Sequence, residues 1–102
     1  MRIPLSAPDL RGKESTYLAT CINENWVSSA GPFVTEFEQR MAVLTSRRHG
    51  VAMMNGTAAL HLSLVVAGVR KGDLVIVPDW TFAATANAVV HAEAEPFFEV
   101  GS

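Results

Sequence analysis

Residues 49–100 read HGVAMMNGTAALHLSLVVAGVRKGDLVIVPDWTFAATANAVVHAEAEPFFEV, and the rhythm of that stretch decides the fold. His49 to Met54 is a short apolar run with the pattern of a buried strand. Asn55-Gly56 breaks it. Thr57 to Ala67 follows with helix-forming residues, Leu60, Leu64 and Val65 lying on one side. Gly68 is a helix stop, and Lys71-Gly72-Asp73 is a turn. Leu74 to Val77 reads as a second buried strand closed by Pro78, Ala83 to Ala92 as a further helix, and Pro96 to Val100 as a third strand. One helix separates each strand from the next. That is a βαβαβ pattern, which implies parallel strands and right-handed crossovers.

Upstream the period is helical. Tyr17, Leu18, Cys21 and Ile22 predict a helix over Lys13 to Asn25. Trp26 to Gly31 reads Trp-Val-Ser-Ser-Ala-Gly, a loop that ends at Pro32, and proline suits the first turn of a helix. Val34, Phe37, Met41 and Leu44 step by three, four and three, so a second amphipathic helix is expected to run to Ser46, its Phe33, Phe37 and Met41 stripe facing a core. The expected division is a helical segment over 1–48 and an α/β segment over 49–102, together forming one compact unit. There is no internal repeat.

Composition narrows the function classes. The chain has 102 residues, 49% hydrophobic and 18% charged, which argues against disorder. The net charge is −2 with signs interspersed, and no clustered basic face suggests nucleic acid. Arg47 and Arg48 adjoin only at a helix end, where cations complement the helix dipole. Cys21 stands alone, which excludes an internal disulfide or a cysteine metal cluster and points to a reducing cytoplasm. Met1 to Lys13 carries Pro4, Pro8, Asp9 and Gly12 without an apolar run, so no signal peptide is expected. No stretch approaches a membrane span. Asn55-Gly56-Thr57 fits a glycosylation sequon, read here as coincidence. His49, His61 and His91 share no metal-ligand spacing on one face and read as structural or surface residues, so no metal site is expected. Asp79 stands where an acid or base could act, or it orders its own turn, the simpler reading.

In an open parallel sheet, ligands bind beyond the carboxyl ends of the strands. Two features fall there. Asn55-Gly56-Thr57-Ala58-Ala59 opens a helix with small residues, whose free N–H groups and Thr57 hydroxyl can cradle a phosphate. The same residues equally suit plain helix capping. Pro78-Asp79-Trp80-Thr81-Phe82 places a broad aromatic face at the same edge, either stacked on a flat ring or covering a helix–sheet junction. Together, on adjoining strand ends, they suit a phosphorylated ring cofactor. No G-x-G-x-x-G follows a strand, so this is not a dinucleotide fingerprint.

These blocks resemble a known family. Trp26 to Pro32 followed by Phe37-Glu38 resembles the amino-terminal signature of the DegT/DnrJ/StrS aminotransferases. Val51 to Leu62 is similar to their phosphate-loop segment, and Gly72 to Pro78 with Thr81-Phe82 and Ala86-Asn87-Ala88 to their next block. The resemblance implies the large domain of a fold-type-I pyridoxal-phosphate (PLP) enzyme, active as a dimer, that moves an amino group from glutamate to a keto nucleotide-sugar. It implies that Thr57 and Ala58 hold the cofactor phosphate, that Gly56 permits the approach, and that Trp80 stacks on the ring. Trp26, Ser28 and Ser29 would line the substrate entrance, reaching the partner subunit's site. In such a fold later strands lie between the first strand and the second.

The family needs a lysine to form the Schiff base with PLP and an acidic residue against the ring nitrogen. Lys13, at a helix start, and Lys71, in a turn, are the only lysines, and neither is placed to reach a ring over Trp80. The expectation is a chain that lacks the catalytic lysine and is inactive alone, or a phosphate-binding or dimerising fragment without catalysis. Two further departures stand near the end. Glu93 occupies a position where glycine is usual. Gly101-Ser102 follows Val100 where an acidic residue is usual, and reads as native sequence or an added tail.

Overall fold

A computed structural model describes residues 6–100. The readings of Gly101-Ser102 and of the first five residues lie outside them. The chain divides into two compact units, Met1–Ala52 and Met53–Ser102.

The first unit holds α1 (Glu14–Asn23) and α2 (Pro32–Leu44). Pro32 takes the first turn of α2, as its fixed φ and missing N–H favour. The Tyr17 and Phe33 rings meet at 5.3 Å and 54°. The expected core stripe is a correction: α2 buries only Ala42, whereas Phe37 and Met41 are exposed. Behind α2 the chain returns closely. The Ala52 N–H donates to Glu38 Oε1 at 2.8 Å, and a Cβ added at Gly50 would lie 2.5 Å from the Glu38 carbonyl oxygen.

The second unit runs α3 (Gly56–Val66), β1 (Leu74–Pro78), α4 (Ala83–His91) and β2 (Glu95–Glu99). β1 and β2 pair in parallel, from Leu74 opposite Glu95 to Pro78 opposite Glu99, with α4 as the crossover. Val77, Val89 and Ala94 form the buried core, with Leu64, Val69 and Val75 packed against it. α4 thus covers one face of the pair. The alternate residues Leu74, Ile76 and Phe97 remain exposed on the other, because side chains alternate along a strand.

The α/β class and the parallel pair agree with the sequence pattern. The expected strand over 49–54 is a correction: those residues join no ladder. An apolar run becomes a strand only when a neighbour takes its backbone groups, and among the described residues no strand pairs with it.

The four helices of the described residues close the same way. In each, two successive N–H groups beyond the end bond back to carbonyls in the last turn: Asn25 and Trp26 on Ile22 and Cys21, Ser46 and Arg47 on Val43 and Ala42. Gly68 and Val69 do so on Val65 and Leu64, and Glu93 and Ala94 on Val90 and Val89. This is the Schellman closure, and its hinge residue is left-handed. The four hinges are Asn25, Ser46, Gly68 and Glu93, with φ of 60°, 53°, 88° and 57°.

Candidate functional site

The small-residue segment lies at the head of α3. Asn55 is the N-cap, and its Oδ1 accepts from the Ala58 N–H at 2.9 Å. Capping is therefore realised at this helix start. It leaves the Gly56 and Thr57 N–H groups, which make no backbone hydrogen bond among the described residues. The first N–H groups of a helix point outward along its axis and carry the positive end of its dipole. Gly56 is exposed, and a Cβ added there meets nothing within 4 Å, so the approach to these donors is open. Thr57 and Ala58 are half-buried. The Ala58 N–H reaches an outside anion only when Asn55 turns away.

Trp80 stands just past the carboxyl end of β1 and is 95% exposed. It covers no helix–sheet junction, so its ring has both faces open. The segment around it is held by backbone and hydroxyl ties. The Asp79 N–H donates to the Glu99 carbonyl at 3.2 Å, and the Thr81 and Thr85 hydroxyls meet at 2.9 Å. Asp79 does not cap its turn through its side chain among the described hydrogen bonds; its N–H does the ordering.

The two features do not sit on adjoining strands, since residues 49–54 form none. They are linked through packing instead: α3 lies against α4, and α4 against both strands. Lys71 stands beyond the other end of β1, its Nζ 3.4 Å from a Glu93 carboxylate oxygen, so the length of the strand separates it from Trp80. Lys13 is the residue before α1.

In the first unit, Trp26 is 45% exposed and ends the α1 closure, and a Cβ at Gly31 would rest 3.5 Å from its ring. The Ser28 hydroxyl accepts from the Ala30 N–H at 3.4 Å, which spends it within the loop, and Ser29 is exposed. A hollow of about 320 Å³ between α1 and α2 is lined by Tyr17, Leu18, Cys21, Phe33 and Phe37. It contains none of the predicted cofactor-binding or entrance residues. Asp9, before α1, receives the Arg11 guanidinium through two bonds of 2.7 and 2.6 Å, which holds its carboxyl below the ordinary carboxylate range. One pairing was invisible in the sequence: the His61 ring on α3 and the His91 ring on α4 lie 6.0 Å apart. Residues thirty apart on different helices have no shared period to reveal them. No described helix is long and apolar enough to cross a membrane.

Residues 8–100 match the DegT/DnrJ/EryC1/StrS aminotransferase family. Among curated relatives, the GDP-perosamine synthase of Caulobacter vibrioides is 45% identical over 95 residues, which are 93% of this chain and 26% of the relative. A sugar aminotransferase of Streptococcus pneumoniae, solved in PLP and PMP forms, superposes with a TM-score of 0.78 at 34% identity. That superposition covers 96% of this chain and 24% of the PMP-form chain. An aminotransferase from Psychrobacter cryohalolentis gives a TM-score of 0.80 at 32% identity, over 93% of this chain and 25% of that one. The chain thus spans about a quarter of the length of these relatives.

Proposed function

Because the chain belongs to the DegT/DnrJ/EryC1/StrS aminotransferase family, we propose that its residues form the phosphate-and-ring half of a PLP site. The enzyme so formed moves an amino group from glutamate to a keto nucleotide-sugar. PLP, when bound, supplies the electron sink for that transfer. The observation that carries the reading is Trp80, 95% exposed past the end of β1 and committed to no packing of its own chain.

Each residue has a role it can perform. Gly56 leaves room for an anion. Gly56 and Thr57 donate backbone N–H groups along the helix axis, and Thr57 adds its hydroxyl. Ala58 adds a third N–H once Asn55 rotates off it. Trp80 holds the ring flat, a contact of about 0.5–1.5 kcal/mol beyond burial. Trp26, Ser28 and Ser29 line the sugar entrance at a subunit interface. The enzyme is a cytoplasmic homo-oligomer.

These 102 residues alone do not transaminate, since Lys71 stands at the wrong end of β1 and is engaged by Glu93. That placement favours a second reading for the isolated chain: it binds phosphate or PLP without turnover. Amide NMR of the chain titrated with PLP tests both. Expected are shifts at the Gly56 and Thr57 amides and the Trp80 indole, reversed by inorganic phosphate and weaker with unphosphorylated pyridoxal. Shifts confined to other residues refute the site. Imine absorbance from Lys13 or Lys71, with turnover, refutes the non-catalytic reading.

A further inference from the structure

We propose that His61 and His91 form a two-imidazole site for a borderline divalent transition cation, of the class of Ni²⁺, Cu²⁺ or Zn²⁺, that ties α3 to α4. The inference is independent of the PLP reading and uses none of its residues.

The geometry carries it. The ring centres lie 6.0 Å apart with planes at 52°. A histidine nitrogen binds such cations at about 2.0–2.1 Å, and with roughly 1.1 Å from ring centre to nitrogen, one cation spans centres up to about 6.3 Å apart. A tetrahedral angle draws the centres to about 5.1 Å. Rotation of the exposed His91 ring, at the last residue of α4, supplies that closure of roughly 1 Å. The backbones beneath are fixed: Val89 on α4 is buried, and Leu64 on α3 packs against its cluster.

The rings are also uncommitted. Among the described residues the side-chain hydrogen bonds of this unit run through Asn55, Ser63, Asp73 and the Thr81–Thr85 pair, and none engages either imidazole. Imidazole pairs suit nickel, copper and zinc and are poor ligands for magnesium or calcium. No third histidine, cysteine or carboxylate completes the set among the described residues. The remaining positions are therefore open to water or to a small exchangeable ligand.

The test is Ni²⁺ titration of the untagged chain, read by calorimetry and by paramagnetic broadening of imidazole proton signals. Broadening is expected at His61 and His91, with no response to Mg²⁺. Loss of an outer-shell partner alone typically costs about 10–100-fold in affinity, so removing a ligand in His61→Gln or His91→Gln is expected to weaken binding by roughly tenfold or more. His49→Gln leaves binding unchanged. Circular dichroism checks each fold. Should His61→Gln unfold, the exposed His91→Gln decides alone. Affinity retained in His91→Gln, or broadening centred on His49, overturns the proposal.

Discussion

Replacing Glu93 by glycine should stabilise the second unit, and the size follows from its position. Glu93 is the hinge of the α4 closure and holds φ at +57°. A residue with a Cβ pays about 1–2 kcal/mol there, because the Cβ crowds the following carbonyl oxygen. Glycine removes that cost but loses more backbone freedom on folding, roughly 0.5–1 kcal/mol. The substitution also removes the Lys71 ion pair, whose partners are 80% and 65% exposed at 3.4 Å. A pair so solvated counts at the low end of about 0.2–1 kcal/mol. The bond from the Gly72 N–H to the Glu93 carbonyl, 3.0 Å long, belongs to the backbone and survives. The net gain is about 0.5 kcal/mol, within a range of roughly 0–1. Urea unfolding followed by circular dichroism should show a higher midpoint at unchanged slope, and the melting point should rise by about 2–4 °C. Glu93→Ala separates the causes. It loses the same ion pair and keeps the strain, so it should fall below the parent. If Glu93→Gly is no more stable than Glu93→Ala, the backbone account of this position is wrong.

Three further outcomes can be checked in the same way. Gly50→Ala places a Cβ 2.5 Å from the Glu38 carbonyl oxygen, a backbone atom of α2 that cannot swing aside, and should destabilise the first unit by about 1–3 kcal/mol in urea unfolding. Asn55→Ala removes the cap of α3 and should cost about 1 kcal/mol, yet it frees the Ala58 N–H, so phosphate affinity measured by amide NMR should hold or rise as stability falls. The Asp9 carboxyl, depressed by Arg11, should titrate below the ordinary value near 3.9 in carbon-detected NMR. Because the folded value is the lowered one, the pairing is present above the ordinary range and is lost as pH falls through the depressed one; Arg11→Ala should return the titration to normal.

The helices were legible in the sequence because their signals are local. Pro32, Asn55 and Gly68 each act through a cap or a fixed φ, and the helix ends fall within two residues of their expected places. Three of the four closures were not announced by glycine. Asn25, Ser46 and Glu93 take the left-handed hinge because the helix carbonyls behind them are satisfied only that way. The apolar run over 49–54 misled for a related reason. Its composition records what it could pair with, whereas a ladder depends on which strand stands beside it. Of the candidate site, two local features were legible, the head of α3 and Trp80. The role of Asn55 as the present occupant of the Ala58 N–H, and the meeting of His61 with His91, both needed three dimensions.

The half-covered sheet makes the last prediction. Parallel strands are ordinarily buried on both faces, since their crossovers place helices on each side. Here α4 covers the Val75 and Val77 side, while Leu74, Ile76 and Phe97 stand 66%, 68% and 57% exposed on the other. Trp80 and Phe82 add 95% and 87% exposed rings at the end of β1. Contiguous apolar patches beyond a few hundred Å² mark surfaces that associate. Among the described residues each strand also keeps one unpaired edge in the two-stranded order, a template for further pairing. The isolated chain should therefore self-associate through this face. Sedimentation across a concentration series should show the mass rising with concentration. Ile76→Lys places a charge in the middle of the patch and should lower the association constant by tenfold or more, since burying an unpaired ammonium costs well over the about 1.4 kcal/mol that a factor of ten represents. A compact, stable monomer at the highest concentration would show that the face is satisfied within one chain, and the argument from the open sheet would fail with it.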